Sequence, residues 1–80
     1  MRVQVKYFAS FRDMTGKMEE SLEVPEGITV EGLREHVKVL YAKMAGREQV
    51  LVAVNGVFVP LETVVREGDD VAFFPPVSGG

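Results

Sequence analysis

Cysteine is absent from all 80 residues, which excludes a disulfide staple, a thiolate nucleophile and a cysteine-type zinc site. Histidine occurs once, at His36, and tryptophan not at all. With no cysteine, second histidine or serine elbow, no nucleophilic triad can be assembled, so His36 reads as a solvated or half-buried helix residue. Neither G-x-x-x-x-G-K-[ST] nor G-x-G-x-x-G is present, and the chain has no loop with which to bind and split ATP unaided. No apolar run approaches the ~20 residues of a bilayer span. Met1-Arg2-Val3-Gln4-Val5-Lys6 alternates where an export signal would be basic and then greasy, so no membrane is expected as a partner and the cytoplasm is the expected location. A net charge of -3 and nine scattered basic residues argue against a phosphate-tracking surface and hence against nucleic acid. The acidic pairs Glu19-Glu20 and Asp69-Asp70 lack calcium-loop spacing and read as solvated faces, so no metal is expected. One asparagine and two glutamines, beside abundant Glu, Lys and Arg, lean towards a heat-adapted source.

What is present is one small domain. A chain this short buries about 60% of its unfolded surface, and its 46% hydrophobic and 26% charged residues are ordinary for a globular protein. Arg2 to Phe8 alternates as a half-buried strand with Val3, Val5 and Tyr7 inward. Ala9 to Thr15 reads as a short helical turn or compact loop ending at Gly16. Lys17 to Val24 then supplies a second strand with Met18, Leu22 and Val24 on one side, closing a hairpin. Thr29 is the expected N-cap of the main helix, whose apolar face is Val30, Leu33, Val37, Leu40 and Met44, with Gly46 as its stop. Gly32, near its start, implies a close approach to the sheet. Val50 to Val54, the hairpin signal Asn55-Gly56 and Val57-Phe58-Val59 give two more strands. After a polar connection from Pro60 to Asp69, Asp70 to Phe74 forms the last, with Val71 and Phe73 inward. The order ββαβ(β)β describes an α+β fold of the β-grasp type, a mixed sheet of about five strands packed by one main helix, with the terminal strand central beside the first.

Alternation places Phe74, Ala72, Leu51, Ala53 and Phe58 on the opposite, outer face. Unless a bulge breaks the parity, they form an exposed apolar patch of the sort that marks an interaction surface. Pro75 and Pro76 lack the N–H that a ladder needs, so pairing is expected to stop at Phe74. This divides the chain into a domain over 1–74 and a flexible tail over 75–80. At ~3.1 Å per residue, the tail extends roughly 20 Å. Gly79 and Gly80 carry no Cβ and can pass a narrow channel in torsions closed to other residues. A frayed end is the alternative; the aromatic pair and two prolines just before the glycines favour a working tail.

The stretch Asp70-Val71-Ala72-Phe73-Phe74-Pro75-Pro76-Val77-Ser78-Gly79-Gly80, with Ala53-Val54-Asn55 and Lys6-Tyr7-Phe8-Ala9, resembles the small subunit of molybdopterin synthase, the MoaD group of ubiquitin-like sulfur carriers. The likeness runs over essentially the whole chain. It implies that Gly80 is adenylated by an activating enzyme using ATP and then receives sulfur from a donor protein as a thiocarboxylate. Val77, Ser78 and Gly79 would thread the tail into the large subunit. There the sulfur passes to cyclic pyranopterin monophosphate, with two transfers for each molybdopterin. The resemblance implies a heterotetramer with that large subunit, which holds the catalytic acids and bases, no cofactor bound to the carrier, and docking through Phe74, Pro75, Pro76, Phe58 and Ala53. Related alternatives are a carrier for thiamine or tRNA thiolation, a modifier joined through Gly80 to target lysines, and a plain binding module with an inert tail.

Overall fold

The computed structural model describes residues 1–46 and 49–76. Its elements are β1 (Arg2–Tyr7), α1 (Ser10–Thr15), β2 (Glu19–Glu23), α2 (Val30–Leu40), a 3-10 turn (Ala42–Met44), β3 (Leu51–Val54), β4 (Val57–Phe58) and β5 (Asp70–Phe74). The five strands form one sheet in the order β2-β1-β5-β3-β4. β5 lies between β1, to which it is parallel, and β3, to which it is antiparallel. This is the β-grasp arrangement, with the last strand central.

Alternation explains the layering. Val3, Val5 and Tyr7 of β1, Val71 and Phe73 of β5 and Val52 of β3 are buried against Val30, Leu33 and Val37 of α2. Each such side chain contributes about 1.5–3 kcal/mol when fully removed from water. Asn55 and Gly56 both have positive φ, 51° and 85°, as a type I′ turn between β3 and β4 requires.

The main helix is shorter than its apolar spacing predicts. Thr29 caps it by accepting from the Gly32 N–H at 3.1 Å, but Tyr41, in an extended conformation, ends it well before Gly46. Leu40 is therefore exposed, while Met44 reaches the core from the 3-10 turn. Nor does Gly32 serve the sheet: a Cβ there would lie 2.9 Å from Cγ1 of Ile28, so the close neighbour is a side chain of the incoming loop.

Two further differences arise where tertiary contacts override pattern. Met18 precedes β2 and is exposed, leaving Leu22 and Val24 to the core side. The Pro60–Asp69 connection is more than a polar turn: it buries Val65 and bridges Thr29 through Val64. Its Thr63 and Leu61 carbonyls accept from the N–H groups of Val30 and Glu31, satisfying two donors that the first helical turn leaves free.

Candidate functional site

The outer face of the sheet converges on the end of β5. Register sets Lys6, Ala72, Ala53 and Phe58 in one cross-strand row, and Phe74 opposite Leu51 in the next. Phe74 stacks on Phe8, with ring centroids 4.4 Å apart and planes 11° from parallel, and meets Phe58 at 5.5 Å and 59°. Leu51 and Phe58 are 46% and 63% exposed. Apolar side chains thus remain open to water on two neighbouring positions of this face, while Phe74 itself is half-buried by its aromatic neighbours.

One expected member is different. Ala53 takes the outer side by register, yet only 6% of it is exposed. A methyl group between the larger cross-strand Phe58 and the adjoining β5 backbone cannot project beyond them, so Ala53 acts as floor and offers little contact area. Pro75 is half-buried and Pro76 exposed, just beyond the strand end at Phe74. Val77, Ser78, Gly79 and Gly80 lie outside the described residues.

Two hollows flank the aromatic cluster. One is apolar, walled by Leu51, Phe58, Val59, Pro60 and Leu61. The other is mixed, walled by Lys6, Phe8, Arg12, Met18 and Glu19. Lys6 donates to Oδ2 of Asp70 at 3.0 Å, and that hydrogen bond, followed by the charge of Asp70, raises the lysine pKa. The face is therefore apolar around Phe58 and Leu51 and charged beside Phe8.

Phe8 and Arg12 are not among the residues expected at this site. The signal was there for Phe8: if Val3, Val5 and Tyr7 point inward, the next residue points outward. Glu20, expected on a solvated face, is partly buried. Its side chain is 14% exposed and lies on the helix side, where it accepts from Tyr7, Tyr41 and Lys17. No group of three or more His, Cys, Asp or Glu side chains among the described residues is placed to hold a metal ion. No helix among them is long and apolar enough to cross a membrane.

A β-grasp domain with an open aromatic face beside the exit of its last strand is built as a ubiquitin-like protein. The chain belongs to the ThiS family, whose model matches residues 5–80. It is 40% identical to the molybdopterin synthase sulfur carrier subunit of Haemophilus influenzae, over 98% of this chain and 99% of that one. Among solved structures it is similar to a Pyrococcus furiosus protein provisionally assigned as molybdopterin converting factor subunit 1, at 38% identity and TM-score 0.89, covering 96% of this chain and 99% of that one. It is also similar to the small archaeal modifier protein 1 of Methanosarcina acetivorans, at 26% identity and TM-score 0.81, covering 99% of this chain and 96% of that one.

Proposed function

We propose that this chain is the sulfur carrier of a molybdopterin synthase. An activating enzyme uses ATP to convert the α-carboxylate of Gly80 to an acyl adenylate, releasing pyrophosphate. A sulfur-donating protein then delivers sulfide-level sulfur to the acyl carbon, the C–S bond forming as the C–O bond to AMP breaks, which leaves a thiocarboxylate and free AMP. Its anion is a softer and stronger nucleophile than a carboxylate. The large subunit admits Val77, Ser78, Gly79 and Gly80 to its active site, where the sulfur is transferred to cyclic pyranopterin monophosphate in an oriented pocket. Catalytic acids and bases belong to that larger partner, and two carriers serve one heterotetramer.

The observation that carries this reading is the outer aromatic pair Phe58 and Phe74 set at the end of β5, directly before Pro75 and Pro76, with Phe8 packed behind Phe74. A scaffold that only had to fold would cover those rings; here they are available to a partner at the base of the tail. The full-length likeness to molybdopterin synthase sulfur carrier subunits favours that pathway over thiamine or tRNA thiolation.

Intact mass spectrometry of protein isolated from its host, or loaded with the cognate activating enzyme, ATP and a sulfur donor, tests the proposal. The expected change is replacement of one oxygen by one sulfur at Gly80, followed by its loss when the large subunit and the pterin are added. A ladder of lysine conjugates without a thiocarboxylate would establish the modifier reading instead, which the likeness to the archaeal modifier supports.

A further inference from the structure

The chain leaves the sheet at Phe74, and what holds that residue decides where the following prolines point, because their own φ is fixed. On one side Phe74 pairs with Leu51. On the other the β1–β5 ladder closes with the Phe8 N–H donating to the Phe73 carbonyl at 3.1 Å, and the Phe8 ring lies flat against Phe74. Phe8 is held from behind in turn. The Phe11 N–H donates to the Phe8 carbonyl at 3.1 Å. Ala9 between them adopts φ 53°, ψ -130°, the first central position of a type II′ turn, which glycine ordinarily occupies. A side chain persists in that region only where its surroundings over-determine it. The reversal returns Arg12, whose guanidinium lies over the Phe8 ring at 5.6 Å and whose Nε donates to the Tyr7 carbonyl at 3.2 Å. Backbone, turn and cation thus converge on one aromatic ring that stacks on the last residue of the sheet.

Resting on the carrier reading above, we propose that Phe8 is a positioning residue that aims the tail. Its stack on Phe74, backed by Arg12 and the strained turn at Ala9, fixes the direction in which Pro75 departs, so that a docked carrier sends its tail from the sheet along one line. Losing that preorganisation leaves docking intact but lowers the fraction of complexes that are productive, an effect on kcat more than on KM. A residue that only touched the partner would instead raise KM.

The test uses full-length Phe8→Ala, Phe8→Leu and Phe8→Tyr in ATP–pyrophosphate exchange with the cognate activating enzyme, beside NMR of the carrier alone. Leucine keeps the apolar character but not the flat ring; tyrosine keeps the ring. Both Ala and Leu should lower kcat about tenfold or more with KM nearly unchanged, and Tyr should restore it. In the spectra, the Ala and Leu variants should keep the core resonances of Val5 and Val71 while the Phe74 amide becomes more mobile on the nanosecond timescale. An increase in KM alone, or a Leu variant equal to the native chain, overturns the proposal. If the native chain supports no exchange, the carrier reading fails; the Phe74 amide then decides the geometry, a gain in mobility upholding it and no change overturning it.

Discussion

The Tyr7 hydroxyl donates to Oε2 of Glu20 over 2.7 Å, joining β1 to β2 on the helix side of the sheet. The same oxygen accepts from Tyr41, just past the end of α2, and Oε1 takes Lys17 at 3.1 Å. Tyr7 and Tyr41 also meet edge to face, with centroids 6.0 Å apart. One carboxylate thus ties the edge hairpin to the segment where the main helix stops.

Glu20→Gln should destabilise the domain by about 1–2 kcal/mol at neutral pH, because charge-assisted hydrogen bonds become neutral ones. The pH dependence has a definite sign. Burial pulls the Glu20 carboxyl upward, but the hydrogen bonds from Tyr41, Tyr7 and Lys17 outweigh it and hold its pKa below the ordinary 4.5. A lowered folded pKa means stabilisation that is present above 4.5 and lost as pH falls through the folded value. Tyr7 is raised above its ordinary 10.0, first by burial and then by Glu20, so its contribution is intact below pH 10 and lost above it. Urea denaturation should find the native chain and the Gln variant far apart at pH 7 and converging below pH 4.5; a constant gap across that range would contradict this account.

Asn55 performs two tasks that substitution can separate. Its φ of 51° meets the turn requirement, while its side chain donates to Oδ1 of Asp69 and accepts from the Asp70 N–H, both at 3.0 Å, binding the β3–β4 turn to the start of β5. Asn55→Gly keeps the first and loses the second, at about 1 kcal/mol. Asn55→Ala loses both and should cost about 2–3 kcal/mol. Equal losses for the two variants, measured by thermal unfolding, would show that the left-handed backbone is not strained here.

The strand positions, the inward and outward sides of β1 and β5 and the Asn55-Gly56 turn were legible because each follows from a local period or a local dihedral requirement, while the central place of β5 beside β1 followed from the β-grasp order of elements. Leu40, Met44 and Val65 were not. A helical repeat continues through Leu40 and Met44 on paper, but Tyr41 turns extended and a tighter turn delivers Met44, an outcome set by where the chain must travel next. Val65 sits in a stretch that reads polar, and its burial depends on the hydrogen bonds between that stretch and the start of α2. At the site, Phe74 and Phe58 followed from alternation. The stack on Phe8 required knowing that β1 and β5 are parallel neighbours in a register that pairs Tyr7 with Phe73.

Ala9→Gly should raise stability by about 0.5–1 kcal/mol. The strain of a Cβ at φ 53°, ψ -130° costs about 1–3 kcal/mol, and glycine's larger loss of backbone freedom on folding offsets part of the gain. For a domain of this size each kcal/mol moves Tm by roughly 4–8 °C, so a shift of several degrees upward is expected by differential scanning calorimetry. A downward shift would mean that the Ala9 methyl group makes contacts outweighing its backbone strain.

Phe58→Glu separates docking from folding more cleanly than a charge at Phe74. Phe74 lies between two rings, so a carboxylate there would forfeit the Phe8 stack and be held beside apolar surface. Phe58 is 63% exposed on the edge strand, and a carboxylate in its place reaches water without entering the core. Stability should fall by less than about 1 kcal/mol, chiefly from the lost tilted contact with Phe74. If the outer face docks the large subunit, calorimetric titration should show binding weakened by about 2 kcal/mol or more, as when a buried aromatic anchor is removed. Affinity equal to that of the native chain, with the variant folded, would move the docking surface away from β4 and leave it to Phe74 and the prolines.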